Sequence, residues 1–313
     1  MALRIGVTWA GERSAAEIAA HSRAALDRPL AYPAELWVAT ARDEALLLGA
    51  FQRSSGIPET PALLRRGSGG PEVLVGQGTV HVALALVHPG ALEACDEKRI
   101  VNRSVRPLLR ALTKTGSLAH FFGRDWVSVA HRPAAWVGFA HDSATRRTVF
   151  EAFVAVRTPF ASAQRASFLG KPHGTLESIA GRAVDPARLA RAIIDAYLAK
   201  HGAEAVEVAS PKLAEQTEDP RIDPPWVATR EEAIGMIGAG ADSAGVFRIG
   251  GDLLVSRDAL ARLESRVVGA SDEDVGRIVD ETLAAPGVAL DGVRSLTSVR
   301  DVVLEARRSR LIA

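Results

Sequence analysis

The chain contains the stretch Leu64-Arg-Arg-Gly-Ser-Gly-Gly-Pro-Glu-Val-Leu-Val-Gly-Gln-Gly-Thr-Val-His-Val-Ala-Leu84. Its paired Arg65 and Arg66 lead into a turn of small residues. Glycine lets backbone N–H groups approach a carbonyl or phosphate oxygen closely, and arginine adds charge-assisted, often bidentate, hydrogen bonds to such oxygens. These residue types fit a tight structural turn and an anion cradle equally well.

Apolar periodicity on either side of this stretch predicts strands and helices in mixed order. Residues 79–87 alternate as a strand does, and residues 101–114 repeat their apolar positions at helical spacing. Capping residues mark two further helices, one that starts after Ser14 and one that starts after Asp185. Strands with helices set around them predict an α/β (α+β) protein with a mixed β-sheet flanked by helices.

A change in composition divides the chain into two units. Residues 209–230 are rich in proline and acidic residues, which is typical of a linker. We therefore expect a domain over 1–208, a linker over 209–230 and a small domain over 231–313. In the small domain the pattern predicts strands at 244–248 and 252–255, and helices at 257–268, 272–285 and 297–307.

Composition narrows the class of protein. Hydrophobic residues make up 47% and charged residues 24% of the 313 residues, and the net charge of +1 gives no field that suggests nucleic acid. Cys95 is the single cysteine, so no intrachain disulfide can form and a reducing compartment fits. The N-terminal residues do not resemble a signal peptide, and the most apolar segment, 73–92, is broken by polar residues. We expect a cytoplasmic protein that binds neither membranes nor nucleic acid, and no metal site has recognisable ligand spacing.

The order of residues in the glycine-rich stretch is more specific than its composition. From Arg65 onward it resembles the hallmark of the lipoate–protein ligase family, Arg-Arg-x-Ser/Thr-Gly-Gly-Gly-x-Val-x-His-Asp-x-Gly-Asn. The positions that match without a gap are Arg65, Arg66, Ser68, Gly69, Gly70, Val73 and Gly78. The resemblance covers most of the chain and implies a biotin/lipoate ligase-like fold, with a small C-terminal α/β accessory domain.

The resemblance also implies an activity. In that family ATP activates lipoate or octanoate as an acyl-adenylate, and a lysine of a lipoyl-carrier protein domain then takes the acyl group. ATP, Mg²⁺ and a small acyl ligand would therefore be the cofactors and substrate, and a carrier domain would be the protein partner. The enzyme's contribution would be electrostatic, because charge develops on carbonyl and phosphate oxygens.

The resemblance assigns roles to particular residues. Those that would line the acyl-binding pocket are Arg65, Arg66, Ser68, Gly69, Gly70, Gly78, His81 and Gly138. The run Gly123-Arg124-Asp125 resembles the segment that starts the nucleotide-binding strands. For His81 a second interpretation stays open, namely a core strand histidine with a satisfied hydrogen bond.

One departure from the family pattern concerns the reaction itself. The family's essential lysine lies in a Lys-Ile-Ala/Ser-Gly segment, and the matching segment here is Ala135-Trp-Val-Gly138. An alanine offers no donor, and loss of a cation aimed at developing charge costs on the order of a hundredfold in rate. Glu72 adds negative charge next to a turn that should receive anions. Arg146 or Arg147, just before the next strand, is our first candidate for a replacement cation.

Two hypotheses follow. In the first, the protein is an acyl-transfer enzyme in which another cation replaces the lysine. In the second, it is a non-catalytic homologue that binds an acyl group, an adenylate or a carrier domain. A cysteine nucleophile is a weaker alternative, because the acidic neighbours of Cys95 would raise the pKa of its thiol.

Overall fold

The computed structural model describes residues 2–57, 61–123, 125–160, 167–168 and 171–311. The described strands are β1 (Arg4–Arg13), β2 (Ala34–Ala41), β3 (Ala45–Leu48), β4 (Leu63–Arg65), β5 (Val73–Val75), β6 (Val80–Leu86), β7 (Ala119–Phe121), β8 (Trp126–Val129), β9 (Arg132–His141), β10 (Thr148–Val154), β11 (Ser167–Phe168), β12 (Lys171–Pro172), β13 (Glu204–Glu207), β14 (Ala228–Glu232), β15 (Gly235–Ala241), β16 (Phe247–Gly251), β17 (Leu254–Val255) and β18 (Leu290–Asp291). The described helices are α1 (Ala15–Ala25), α2 (Ile100–Thr113), α3 (Leu176–Ala180), α4 (Pro186–His201), α5 (Arg257–Val268), α6 (Asp272–Leu283) and α7 (Leu296–Leu311).

The main sheet has eight strands in the order β13-β1-β2-β6-β10-β9-β8-β7. β1 runs parallel to β2 and to β13, whereas the other neighbouring pairs are antiparallel. Several helices pack on this sheet, so the predicted α/β protein with a mixed sheet flanked by helices is confirmed.

The two faces of the main sheet are covered by different elements. α2 and α4 cover one face, which we call the helix face, and bury alternate strand residues such as Leu36, Val82 and Phe150. α1 and a small sheet of order β4-β3-β5 cover the opposite face, which we call the loop face. Because strand side chains alternate, neighbouring residues of one strand serve different cores. The glycine-rich turn joins β4 to β5 and therefore lies on the loop face.

Capping chemistry places the helices where the sequence predicts them. Ser14 caps α1 in a reciprocal capping box with Glu17, and the Asp185 carboxylate accepts hydrogen bonds from the amides of Ala187 and Arg188 at the start of α4. Each such cap satisfies backbone donors that no carbonyl of the helix can reach. None of the helices in the described ranges is long and apolar enough to cross a membrane.

The C-terminal unit contains the predicted helices and more sheet than the sequence pattern indicated. β14, β15 and β16 form an antiparallel sheet, and β14 begins inside the segment expected to be a linker. The strand expected at 244–248 instead starts at Phe247, because the Asp242 carboxylate holds the amides of Ala244 and Val246 in a turn. The domain boundaries themselves stay predictions.

The glycines of β15 interrupt the alternation of apolar residues, so the sequence pattern did not predict this strand. An added Cβ at Gly238 would lie 2.4 Å from the indole of Trp226, so close packing against that ring requires glycine.

Residues 208–227 have no helix or strand, yet they pack on the main unit. In this segment Asp219 and Asp223 pair with Arg65, and the Trp226 ring stacks on the Arg53 guanidinium, whose central carbon lies 3.8 Å from the ring centroid.

Candidate functional site

The glycine-rich turn lies directly on β9. The Gly69 amide donates to the Phe139 carbonyl at 2.8 Å, which forms an isolated β-bridge between the turn and the strand. An added Cβ at Gly138 would lie 2.3 Å from the Ser68 hydroxyl oxygen. Ser68, Gly69 and Gly138, which the resemblance assigns to one pocket, therefore lie close together, and their role in binding a ligand stays a prediction. Glycine is needed at position 138 because the turn itself occupies that space.

Protein groups accept the hydrogen bonds of the turn's glycine amides. The Gly67 amide donates to the Ser22 hydroxyl at 2.8 Å, and the Gly70 amide donates to the Leu253 carbonyl at 3.0 Å. Gly70 has a φ of +103°, a backbone conformation that favours glycine. The turn is thereby fixed to α1 on one side and to the C-terminal unit on the other.

Arg66 lies fully inside the protein, with 1% of its surface exposed. Its Nε donates to the Ser68 hydroxyl and its Nη2 donates to the Gly69 carbonyl, both at 3.0 Å. Burial lowers the pKa of Arg66 to about 10, and the nearby carboxylates, with Glu151 first, oppose that shift. The guanidinium is therefore charged at neutral pH, and it stabilises the turn that contains it.

Glu151, in the middle of β10, provides the main opposing charge and is also completely buried. Its carboxylate accepts from Nε2 of His81 at 3.1 Å and from the Ser22 hydroxyl at 2.8 Å. Burial alone would raise the pKa of Glu151, but hydrogen bonds from His81, Ser68 and Ser22 lower it to about 2. A carboxylate that accepts several hydrogen bonds is ionised at neutral pH even without solvent.

A second histidine completes this buried cluster. His21 of α1 stacks on the Trp37 indole with ring centroids 4.0 Å apart, and its ring centroid lies 6.5 Å from that of His81. Both ring nitrogens of His21 are buried without a hydrogen-bond partner among the described residues. Burial lowers the pKa of His21 to about 3, so its ring is neutral at neutral pH. We call Arg66, Ser68, His81, Glu151 and His21 the polar cluster.

Sequence reasoning missed Glu151 and His21. Glu151 is the one charged residue in the apolar run 148–156, and a lone carboxylate in a buried strand requires a partner. That signal could have identified it. His21 gave no comparable signal, because a single histidine on an amphipathic helix faces solvent as readily as the core. His81 lies in the strand as expected and bonds to Glu151, while a role for it in lining a pocket stays a prediction.

The Arg65 side chain and Gly78 lie apart from the buried side chain of Arg66. The Arg65 side chain turns to the segment that follows the main unit, where its Nε lies 3.0 Å from the Asp219 carboxylate. Gly78 precedes β6 and has a φ of +82°, and a Cβ added there would lie 3.1 Å from Pro186 at the start of α4. Their assignment to an acyl pocket stays a prediction.

Ala135 lies on the helix face, away from the polar cluster. It is directly paired with Val154 and Val127 and is fully buried in the apolar core beneath α2 and α4. The residue that β9 presents to the loop face at this level is Trp136. A cation on the Ala135 side of the strand would therefore enter an apolar core.

Arg146 is too far along the hairpin to replace a cation at Ala135. It lies exposed in the β9–β10 turn with a φ of 61°. β9 extends six residues beyond Ala135 before this turn begins, which is about 20 Å of strand. The candidate replacement is therefore at the opposite end of the strand pair.

The segment that resembles a nucleotide-binding start is only partly described. Gly123 is exposed with a φ of +71°, Asp125 is fully buried, and Arg124 lies outside the described residues. The Asp125 carbonyl accepts from the Val137 amide at 2.7 Å, which ties this segment to β9. Its assignment to nucleotide binding stays a prediction.

Two other chemistries have little support in this site. Burial, followed by the charge of Asp96, raises the pKa of the Cys95 thiol, which disfavours the thiolate that a nucleophile needs. Within the described part of the chain, no group of three histidine, cysteine or acidic side chains could hold a metal ion.

Solved structures identify the architecture. LipL1 of P. falciparum, solved in complex with lipoate, is 12% identical; the match covers 97% of this chain and 99% of that one, with a TM-score of 0.59. A bi-partite lipoate protein ligase of Thermoplasma acidophilum, described with its E2 lipoyl domain, is 14% identical; the match covers 68% of this chain and 88% of that one, with a TM-score of 0.51. The chain has the fold of the lipoate–protein ligases. This ligase fold is the one predicted from Arg65 to Gly78. No protein-family model and no curated protein sequence matches the chain.

Proposed function

We propose that the chain is a protein of the lipoate-ligase fold that recognises a lipoyl carrier domain and does not itself form an acyl-adenylate. One observation carries this proposal. Nε and Nη2 of Arg66 and the amides of Gly67, Gly69 and Gly70 all donate to groups of the protein, although an anion at this turn would need such donors. A ligand at this turn would have to displace those bonds, which also hold the turn in place.

ATP and Mg²⁺ do not fit the residues at the turn. A triphosphate needs cations or backbone amides that are free to donate to it. The cation that the turn buries is Arg66, and its charge interacts with the carboxylates of Glu151, Glu72, Asp252 and Asp125. These carboxylates compensate the guanidinium and would repel a polyanion. We therefore derive no adenylation step through this site.

The placement of Ala135 supports the same proposal. Adenylation in the resembling family depends on a lysine at the corresponding position. Here that position lies in the apolar core of the helix face, while Trp136 fills the loop face. Neither Arg66, which is bonded within the turn, nor Arg146, which is distant, is placed to act in its stead.

The carrier-domain partner is inferred from similarity. The Thermoplasma ligase belongs to a lipoylation system together with its E2 lipoyl domain. The chain keeps the architecture of such a ligase, and recognition of a carrier domain needs a complementary surface without an activated acyl group. The cytoplasmic setting and the lack of a membrane or nucleic-acid partner stay predictions.

Two measurements test this proposal. The purified chain is mixed with ATP and lipoate or octanoate, pyrophosphate release is followed, and an active lipoate ligase serves as the positive control. We expect no release above the enzyme-free blank. Calorimetric titration with an unlipoylated E2 lipoyl domain should show saturable binding. Acid-dependent pyrophosphate release would refute the non-adenylating part, and lack of binding would refute the carrier part.

A second candidate is an adenylating lipoate or octanoate ligase. It is favoured by the match over nearly the whole of LipL1, which was solved with lipoate. In this case the turn would have to release the Leu253 carbonyl and open. The distinguishing result would be pyrophosphate release that is lost in Arg66→Ala while the circular dichroism spectrum stays that of the folded protein.

A further inference from the structure

A cleft of about 370 Å³ lies between the end of α2 and the first turns of α4. Its lining residues lie on and next to the two helices that cover the helix face, so the main sheet lies between the cleft and the polar cluster. Apolar side chains that include Val184 and Leu189 line it, and Lys114, Arg182 and Arg188 contribute positive charge. Its volume is in the range of pockets that bind small molecules.

The cations of this cleft are largely uncompensated. The side chains of Lys114 and Arg188 make no hydrogen bond or ion pair with any described residue, whereas the Arg182 guanidinium donates to the Thr115 carbonyl at 3.2 Å. By contrast, in the cleft of about 310 Å³ beside the C-terminal unit, Arg65 and Arg248 each pair with carboxylates. The lining of the α2–α4 cleft therefore contains three cations and the single carboxylate of Asp185, which leaves it with net positive charge.

Acidic groups near the cleft are already engaged. Asp185 lines it, but the Asp185 carboxylate accepts from the amides of Ala187 and Arg188 as the cap of α4. Glu177 accepts from the Val184 amide at 3.2 Å and pairs with Arg157 at 3.0 Å. These bonds draw both carboxylates toward their partners and leave the cations on the rim available to a ligand.

The surroundings strengthen the positive potential. α2 contains no acidic residue, although it carries Arg103, Arg106 and Arg110. A concave site with charges of one sign raises the local concentration of counter-ions.

We propose that the α2–α4 cleft binds a phosphorylated small molecule. Its phosphate would lie on Lys114 and Arg188, which supply a point charge and a bidentate donor. Its neutral portion would lie against Val184 and Leu189. This inference is independent of the proposed function, because the cleft shares no residue with the polar cluster.

Calorimetric titration of the full chain tests this site with three probes: inorganic pyrophosphate, ribose 5-phosphate and adenosine monophosphate. We expect saturable binding at one site, and a loss of affinity of about tenfold in Lys114→Gln and in Arg188→Gln. Stronger binding of adenosine monophosphate than of ribose 5-phosphate would identify a nucleobase as the neutral portion. Equal binding would identify the sugar phosphate as the recognised unit.

Lys98→Gln is the matched control, because Lys98 is exposed and has no partner among the described residues. Its affinity should equal that of the wild type, and all three variants should keep the wild-type melting temperature without ligand. An equal loss of affinity in Lys98→Gln would show diffuse attraction and overturn the proposal. The absence of saturable binding for all three probes would overturn it as well.

Discussion

The two faces of the main sheet bury different kinds of side chain, although the same strands form both faces. The loop face buries an arginine, a glutamate and two histidines, whereas the helix face is apolar and includes Ala135. Glu151 and Phe150 are neighbours in β10 but belong to these opposite environments. A position matched by sequence order can therefore lie in a different environment from the motif that it was expected to serve.

The spacing of the two matched segments shows how this separation arises. Ala135 and Gly138 are three residues apart, and an odd separation within a regular strand places residues on opposite faces. Gly138 contacts the glycine-rich turn, so Ala135 faces the helices. The face of a strand residue thus decides whether a substituted cation could reach the turn.

Ala135→Lys should cause the largest loss of stability, and it tests directly whether Ala135 lies on the apolar helix face. The substitution places an ammonium group in the apolar core of the helix face, and an unpaired buried charge should lower the free energy of unfolding by about 3–5 kcal/mol. Urea unfolding measures this loss, and the exposed Ala94→Lys should stay within about 0.5 kcal/mol of the wild type. Lipoate-dependent pyrophosphate release by Ala135→Lys would contradict our assignment of the two faces.

Glu151→Leu should have the next largest effect, now on the loop face. Removing the carboxylate leaves the Arg66 guanidinium buried without its main counter-charge, at a cost of about 3 kcal/mol in unfolding free energy. The exposed Glu12→Gln should change it by less than about 0.5 kcal/mol. The double variant with Arg66→Met should lose less than the sum of the single losses. Strict additivity would mean that the two charges do not stabilise each other.

The smallest effect concerns pH and His21. The pKa of His21 falls from 6.5 to about 3 on folding, so the unfolded chain binds the proton first as the pH drops. The contribution of His21 to the free energy of unfolding is fully present above pH 6.5 and is lost as the pH falls toward 3. Between pH 6 and 5, above the range in which Glu151 titrates, His21→Phe should reduce the slope of unfolding free energy by about 1 kcal/mol per pH unit. Identical slopes would show that the His21 ring is solvated in the native protein.

The sequence predicted much of the fold because its signals are local. Ser14 and Asp185 begin helices where their caps indicate, and the turn from Arg66 to Gly70 lies against Gly138 as the resemblance implied. β15 was missed because the glycines that admit Trp226 weaken the strand pattern, and β14 was missed because four of its five residues are polar.

The site was less predictable than the fold because it depends on contacts between distant segments. Glu151 and Ser22 are 129 residues apart in sequence, and only folding brings their side chains within hydrogen-bond distance. Whether a motif's donors face a ligand or the protein is likewise a tertiary property. Arg66 illustrates this, since its match to the family motif is complete while its hydrogen bonds are internal.

Hydrogen bonds join the segments around the glycine-rich turn to the C-terminal unit, so a division of the gene between the two units would place the bonded groups on separate polypeptides. Gly70 donates to the Leu253 carbonyl, Gly251 donates to the Phe51 carbonyl, and the Gln52 side chain donates to the Asp252 carboxylate. The second unit thus completes the hydrogen bonding of the first. A gene split within 209–227 would yield two polypeptides that form an obligate heterodimer, each depending on co-expression with the other for solubility.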